Sequence, residues 1–348
     1  MENVKLHLLL LNAYDFGGIE RASCTLLRSF LDVNIKCDLF SVRGEEDKSS
    51  HYIYPQKPID LKAGHNDFVK LYHYVKSLSD DIVVISTYDR ITIMLSFLFI
   101  FLRKKCKLIA HQHADYYAHS KKVRLLRYFF YRRVNTICSL TKQDMQFYLK
   151  WHPDVKLIPN ILSIPANDNA KNIDLRDRSI DLIAIGRLDS IKRFQDFIVT
   201  ANTLIKSEVI NKALLVGDGP EYSLLNDLDE HQIMIGRNDD VFSLLSNSKI
   251  LLVTSSRESF SMVILEAMSQ GCLVISYDCP TGPSELIQNN VNGYLIDNSN
   301  RALLEEKCSY VIKHLDDNNM ISKNAILTSL DYSSSKIVNK WIDIINEN

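Results

Sequence analysis

Arg257-Glu258-Ser259-Phe260-Ser261-Met262-Val263-Ile264-Leu265-Glu266-Ala267-Met268 is the stretch on which the reading of this chain turns. It follows an apolar run, Ile250-Leu251-Leu252-Val253, that ends in polar Thr254-Ser255-Ser256. That order predicts a buried strand, a tight loop and a helix opening near Ser261. A helix start leaves backbone N–H groups without an intrahelical acceptor and presents the positive end of the helix dipole, so it suits an anion such as a diphosphate. Glu258 falls in the loop before the helix, and Glu266 sits inside it, about two turns on. Carboxylates beside an anion-binding turn make sense if they grip hydroxyls and not phosphate. A sugar nucleotide, with hydroxyl-bearing rings on both sides of a diphosphate, fits that demand. The plain alternative for this stretch alone is a surface helix with two solvated glutamates.

Length and composition leave room for the first reading. The 348 residues are enough for two α/β domains, each with a sizeable core. The hydrophobic (46%) and charged (24%) fractions are ordinary for a globular protein. Charge is divided unevenly: residues 1–165 hold 24 Lys+Arg against 16 Asp+Glu, and residues 166–348 hold 17 against 26. A basic first half faces something anionic, such as a membrane surface or a lipid diphosphate. No nucleic-acid motif accompanies the charge, so nucleic acid is not expected as a partner. Seven scattered cysteines with no Cys-x-x-Cys pair argue against a disulfide framework and a zinc site, and for a reducing compartment. The opening Met1-Glu2-Asn3-Val4-Lys5 lacks a cleavable signal pattern. The most apolar run, Ile91 to Leu102, is too short to span a bilayer. The expected location is the cytoplasm.

Working outward, the first half alternates strand and helix. Strands are expected at Val4–Leu11, Cys37–Val42, Ile82–Thr87, Lys107–His113, Thr136–Leu140 and Val155–Asn160, and helices at Ile19–Val33, Ile91–Leu102 and Val123–Val134. The second half repeats the pattern, with strands at Leu182–Ile185, Ala213–Val216, Ile233–Gly236, Ile250–Val253 and Leu273–Ser276. Alternation of this kind implies parallel sheets covered by helices, with ligands beyond the carboxyl ends of the strands.

The residues just after those strands carry the chemistry. Gly17-Gly18 lets the backbone approach a ligand closely before a helix start, although the Gly-x-Gly-x-x-Gly dinucleotide fingerprint is absent. His111 and His113 share one strand face; they are metal ligands, cleft residues or packed histidines, and no third ligand lies nearby in sequence. Asp227-Leu228-Asp229 is not expected to hold a metal. Arg187 and Lys192 put two cations beyond a strand end, where a diphosphate needs its charge neutralised. Lys121 to Arg133 mixes Lys121, Lys122, Arg124 and Arg127 with aromatics at helical spacing, and Arg103-Lys104-Lys105 adds a second basic patch. That helix reads either as interfacial, on anionic lipid, or as core-packed with a basic outer face.

Taken together, these motifs resemble the retaining glycosyltransferases of family 4. Two glutamates eight apart around a Phe, then Glu-Ala-Met and Gly271, are similar to that family's donor-site signature. Gly17-Gly18-Ile19-Glu20-Arg21 matches its Gly-Gly-x-Glu-Arg, and Pro159-Asn160, Gly186-Arg187-Leu188, Lys192 and Gly217-Asp218-Gly219-Pro220 fall in the usual order. The turn Asp278 to Glu285 and Asn292-Gly293-Tyr294-Leu295 are most like members that assemble bacterial surface polysaccharides. The family usually has glycine where this chain has Ser259 and Ser261; serine keeps the backbone donors and can cap a helix.

The resemblance implies the GT-B fold, two Rossmann-like domains with parallel sheets facing each other across a cleft. The implied division is an acceptor-binding domain at 1–165, a linker at 166–179, a donor-binding domain at 180–328, and a terminal helix at 329–348 that crosses back to the first domain. It implies a UDP-sugar donor, no required metal or other cofactor, and a lipid-linked glycan acceptor at the inner face of the plasma membrane. Arg187 and Lys192 would bind the diphosphate, with Gly17 and Gly18 approaching it, and Glu266 would hold the ribose. Glu258, with the backbone of Phe260, Ser261 and Met262, would hold the donor sugar, and His113 would sit near the reacting carbon. In the family's front-face mechanism the leaving diphosphate takes the acceptor proton, so no carboxylate base is needed, unlike the paired carboxylates of glycosidases. A sugar-nucleotide epimerase of the same fold and a silent lipid-binding partner of a transferase are the alternatives.

Overall fold

The computed structural model describes residues 5–44, 52–62, 64–163 and 174–347. The chain divides into two compact units, Met1–Ser163 with Ser333–Asn348, and Ile164–Tyr332. In the first unit the chain runs β1 (Lys5–Leu10), α1 (Gly18–Asp32), β2 (Cys37–Ser41), β3 (Ile59–Asp60), α2 (Asp67–Ser77), β4 (Ile82–Ser86), α3 (Asp89–Phe101), β5 (Lys107–Gln112), α4 (Lys121–Phe130), β6 (Thr136–Ser139), α5 (Lys142–Leu149) and β7 (Val155–Leu157). The strands form one parallel sheet in the order β3-β2-β1-β4-β5-β6-β7. Central strands are apolar on both faces because helices cover both; all five residues of β4 are buried. Leu8 of β1 lies between Leu39 of β2 and Ile85 of β4, which fixes the register at the centre of the core. Side chains cap the helix starts: Asn66 accepts from the Val69 N–H and Thr141 from the Asp144 N–H.

The second unit runs β8 (Ile180–Ile185), α6 (Phe194–Lys206), β9 (Ala213–Val216), α7 (Tyr222–Asn226), β10 (Met234–Gly236), α8 (Val241–Ser246), β11 (Ser248–Val253), α9 (Met262–Ser269), β12 (Leu273–Asp278), α10 (Pro283–Leu286), β13 (Tyr294–Asp297), α11 (Arg301–Lys313) and α12 (Leu315–Ser329). Its six parallel strands are ordered β10-β9-β8-β11-β12-β13. Arg178, buried ahead of β8, donates to the carbonyls of Leu245 and Gln270, which the ends of α8 and α9 leave open, and to that of Ser248 at the start of β11. Of the stretch expected as a linker, residues 166–173 lie outside the described residues; Leu175–Asp177 form a 3₁₀ turn whose Leu175 is wholly buried in this unit's core.

The last helix, α13 (Ser334–Asn346), belongs to the first unit. It buries Ile337, Val338, Trp341, Ile344 and Ile345, and Trp341 meets Phe30 edge-on at 6.0 Å and His111 at 5.0 Å. Lys107 closes its C-terminal end, donating to the Ile344 and Glu347 carbonyls at 2.5 Å each.

Chain order reverses between β1 and β4 in one sheet and between β8 and β11 in the other. Such switch points open a crevice at the carboxyl ends of the strands. The loops after β8 and β11, which the sequence singles out, flank one of them.

Candidate active site

Glu258 ties three loops of the second unit together. Its Oε1 accepts from Lys192 Nζ at 2.7 Å and from Ser255 Oγ at 2.7 Å. Its main-chain carbonyl accepts the Thr281 hydroxyl. The Ser256 N–H donates to the Ile191 carbonyl at 2.8 Å, and the Thr254 hydroxyl to the Lys192 carbonyl at 2.8 Å. The segments after β8, β11 and β12 are therefore laced together at the carboxyl edge of the sheet. Gly282 completes the join: at φ 91° a Cβ there would lie 2.8 Å from that of Glu258, so no other residue fits without displacement. Burial alone would lower the Lys192 pKa, but the adjacent Glu258 carboxylate overcomes this and holds the ammonium above its ordinary value.

Arg187 is exposed on the loop that leaves β8. The same loop packs tightly on the glycine turn after β9. A Cβ on Gly217 would meet the Gly186 carbonyl oxygen, and one on Gly219 that of Leu188. Backbone bonds from Leu188 N–H to Asp218 O (2.9 Å) and from Glu221 N–H to Leu188 O (3.0 Å) fasten the two. The cation after β8 is thus carried by a braced loop.

At the start of α9, Phe260 is buried against Tyr332, with ring centroids 5.7 Å apart. Ser261 precedes the helix at φ 70°, ψ 79°, a left-handed conformation. The cap that a serine can supply is not made by the Ser261 side chain. Capping requires an extended N-cap backbone that swings the oxygen over the first-turn N–H groups, and the left-handed turn does not. A non-glycine residue held there costs about 1–3 kcal/mol. Met262 is half-buried, and Glu266, inside α9, is wholly buried.

In the first unit, Gly17 and Gly18 open α1 after β1, as expected. The space beside Gly17 belongs to Glu20, whose Oε2 lies 2.5 Å from where a Gly17 Cβ would sit. Glu20 is buried, burial raises its pKa, and its other oxygen accepts from the Tyr88 hydroxyl at 2.8 Å. The helix start expected to face phosphate thus holds a carboxylate of its own. His113 and His111 are buried at the carboxyl end of β5, Nε2 to Nδ1 3.0 Å apart. Burial pushes His111 down to about 4 and His113 well below the usual histidine range, so both rings are neutral near pH 7.

The helix α4 requires a correction. Lys121 and Lys122 are exposed and Arg124 is half-buried over the Tyr117 ring, but Arg127 is wholly buried and cannot belong to a membrane or acceptor face. Its guanidinium donates to the Tyr148 hydroxyl (2.8 Å) and the Tyr116 carbonyl (2.9 Å) and pairs with Asp89 at 3.4 Å. Asp89, at the start of α3, also accepts from Tyr131 (2.7 Å) and pairs with His119 (2.9 Å). Burial would raise its pKa, but His119, Arg127 and Tyr131 outweigh burial and hold it below the usual range. Besides Lys121 and Lys122, α4 exposes apolar Leu125, Leu126 and Phe129, and α3, which packs on it through Phe97 and Phe130, exposes Phe97, Ile100 and Phe101. Sequence reasoning passed over Asp89, although it follows a strand end, the position that marks such residues, and took Thr281 only as part of the turn Asp278 to Glu285.

Among the described residues no three His, Cys, Asp or Glu side chains are grouped to hold a metal ion, and no helix is long and apolar enough to cross a membrane. All seven cysteines are buried and free.

Two doubly wound units, with a cation–carboxylate cluster and a helix start at the strand ends of the second, have the architecture of the GT-B fold. Residues 166–328 match the family described as "Glycosyl transferases group 1". The amylovoran biosynthesis glycosyltransferase AmsD of Erwinia amylovora is 26% identical over 98% of this chain and 99% of its own. The Campylobacter jejuni enzyme named GalNAc-alpha-(1->4)-GalNAc-alpha-(1->3)-diNAcBac-PP-undecaprenol alpha-1,4-N-acetyl-D-galactosaminyltransferase is 26% identical over 70% of this chain and 69% of its own. Anabaena Alr3699/HepE, solved in complex with UDP and glucose, superposes with a TM-score of 0.78 at 16% identity, covering 98% of this chain and 99% of that one. Residues 166–328 thus carry the domain of the group 1 glycosyltransferases, the retaining enzymes of family 4, and the chain has the GT-B fold.

Proposed function

We propose that this glycosyltransferase moves a hexose or N-acetylhexosamine from a UDP-sugar to an undecaprenyl-diphosphate-linked oligosaccharide, in the cytoplasm, during assembly of a bacterial surface polysaccharide such as O-antigen or capsule. The observation that carries the reading is the Lys192–Glu258 contact at 2.7 Å, beside the β8/β11 switch point and the start of α9. It gathers a cation, a hydroxyl-binding carboxylate and a helix N-terminus, which together suit a sugar diphosphate. The UDP and glucose held by HepE support the donor class, and the undecaprenol named for the Campylobacter enzyme supports the acceptor class.

In this reading Arg187 and Lys192 neutralise the diphosphate, stabilising charge as the leaving group departs. Lys192 has three donors, so its bond to Glu258 leaves others for phosphate. Glu258, with the backbone of Phe260, Ser261 and Met262, holds the donor sugar. Glu266 reaches the ribose only if its side chain moves, since it has no exposed surface in this conformation. Gly17 and Gly18 are assigned to the diphosphate and His113 to the reacting centre, where a neutral imidazole accepts or donates a hydrogen bond without adding charge.

The acceptor is met at the membrane. The α3–α4 surface supports this, because Phe101 and Leu125 (67% and 58% accessible) lie on packed helices that also expose Lys121 and Lys122 and, just after α3, Arg103 and Lys105. The deciding experiment incubates the protein with a panel of UDP-sugars and isolated lipid-linked oligosaccharides and reads products by mass. Growth of the acceptor by one sugar is expected. An altered UDP-sugar formed without acceptor would make the protein an epimerase, and no turnover with any pair would leave it a silent partner.

A further inference from the structure

Arg193 joins Lys192 to α6 through a left-handed backbone, at φ 50° and ψ 42°. That conformation suits glycine and is uncommon for a long side chain. Such a residue persists only where its surroundings hold it. Here its own side chain does the holding. One guanidinium nitrogen pairs with Asp196, in the first turn of α6, at 3.0 Å, and another donates to the Ser299 hydroxyl, in the loop after β13. The guanidinium lies over the ring of Tyr277 in β12, 5.6 Å from its centroid, and the Tyr277 hydroxyl donates to the same Asp196 oxygen at 3.0 Å. On the other side, the Lys192 carbonyl accepts the Thr254 hydroxyl at 2.8 Å, from the loop after β11. Lys192 is therefore held from β11 through its carbonyl, and from β12 and the loop after β13 through its neighbour. A partly exposed ion pair adds little stability, too little to account for a left-handed arginine. A guanidinium committed to Asp196, Ser299 and Tyr277 suits a brace better than a second cation for the diphosphate.

We propose that Arg193 is a positioning residue for the donor: its side chain fixes the left-handed turn that aims Lys192 at the diphosphate, and so strengthens nucleoside diphosphate binding without touching the ligand. This rests on the donor-site reading above and goes beyond it.

The test is a double-mutant cycle read by calorimetry of UDP binding to the full chain, without turnover, with thermal unfolding alongside. Lys192→Ala should weaken UDP binding about 10–100-fold, the range for a hydrogen bond to a charged group. Arg193→Gly keeps the left-handed turn accessible and deletes the brace. It should weaken UDP binding about 5–10-fold and unfold within a few degrees of the parent. In the Lys192→Ala background the same change should cost less than about twofold, because the ammonium it positions is gone. Asp196→Asn, which loosens the far anchor and leaves residues 189–193 intact, takes the place of Arg193→Gly in the cycle should the glycine variant fail to fold. UDP affinity within about twofold of the parent in the brace variant would make the arginine merely structural and overturn the proposal. Equal losses with and without Lys192 would make the guanidinium a phosphate ligand in its own right, which also overturns it. Lys192→Ala binding UDP as well as the parent would instead refute the donor-site reading, and the proposal with it.

Discussion

Replacing Lys192 by alanine tests the centre of the site. Its ammonium lies 2.7 Å from Glu258 Oε1, and the two side chains are 24% and 9% accessible. At an effective dielectric constant of about 20, that separation corresponds to a gross attraction of about 6 kcal/mol. Desolvation of both ions consumes most of it, yet removing one partner strands the other, which costs about 3–5 kcal/mol for a fully buried pair. Partial exposure of Lys192 lowers the expected loss of stability to about 2–3 kcal/mol. Lys192→Met with Glu258→Gln, which removes both charges, should lose less than the sum of the single changes. Transfer should be hit separately. Loss of one preorganised charge stabiliser slows the reaction by about 10²–10³-fold. The assay pairs denaturant unfolding with sugar transfer to the lipid-linked acceptor. A Lys192→Ala protein that is folded and transfers sugar at near the parent rate would refute the placement of the diphosphate.

Arg187→Ala should also cut transfer by about 10²–10³-fold. Because Arg187 is exposed, its unfolding curve should match the parent's, and equal rates would remove it from the site. Treatment with EDTA should leave transfer largely intact, because in the proposed assignment Arg187 and Lys192 neutralise the diphosphate; full loss restored by magnesium or manganese would contradict that. The protein should sediment with anionic vesicles at low salt and be released at least partly at high salt, each cation near the surface contributing about 1 kcal/mol. Lys121→Gln with Lys122→Gln, and separately Phe101→Ser with Leu125→Ser, should weaken sedimentation while sparing UDP affinity. Undiminished binding by both variants would exclude this surface.

The fold was legible because its strands are buried on both faces and so stand out as apolar runs. Ala213–Val216 was placed to the residue, and most other strands to within one or two. Helices such as α2, α5, α11 and α12 were not read, since their apolar positions are interrupted by polar ones and their burial depends on neighbours far along the chain. The strand ends of the second unit were readable from Gly-Arg-Leu, Lys192 and Glu258, residue types that seldom follow a strand without a charge to meet. What composition could not reveal was direction. Arg127 counts as a basic residue on a basic helix, and only the packing of Tyr116, Tyr131 and Tyr148 turns it inward to Asp89. Likewise, the apolar side chains of α4 looked equally suited to a core or a membrane until their exposure was known. Ser261 illustrates a third limit, for a serine before a helix announces a cap, and the left-handed turn that forbids it has no signature in the residue name.

The helix α13 has a consequence for the order in which the molecule is made. Trp341 fills a slot against Phe30 and His111, so the first unit's core waits for residues synthesised after the whole of the second unit. The second unit is drawn from one uninterrupted stretch and can close its own core sooner. The earlier-made unit is therefore the last to have its whole core available. Until residues 334–346 arrive, the place that Trp341 takes against Phe30 and His111 stays unfilled.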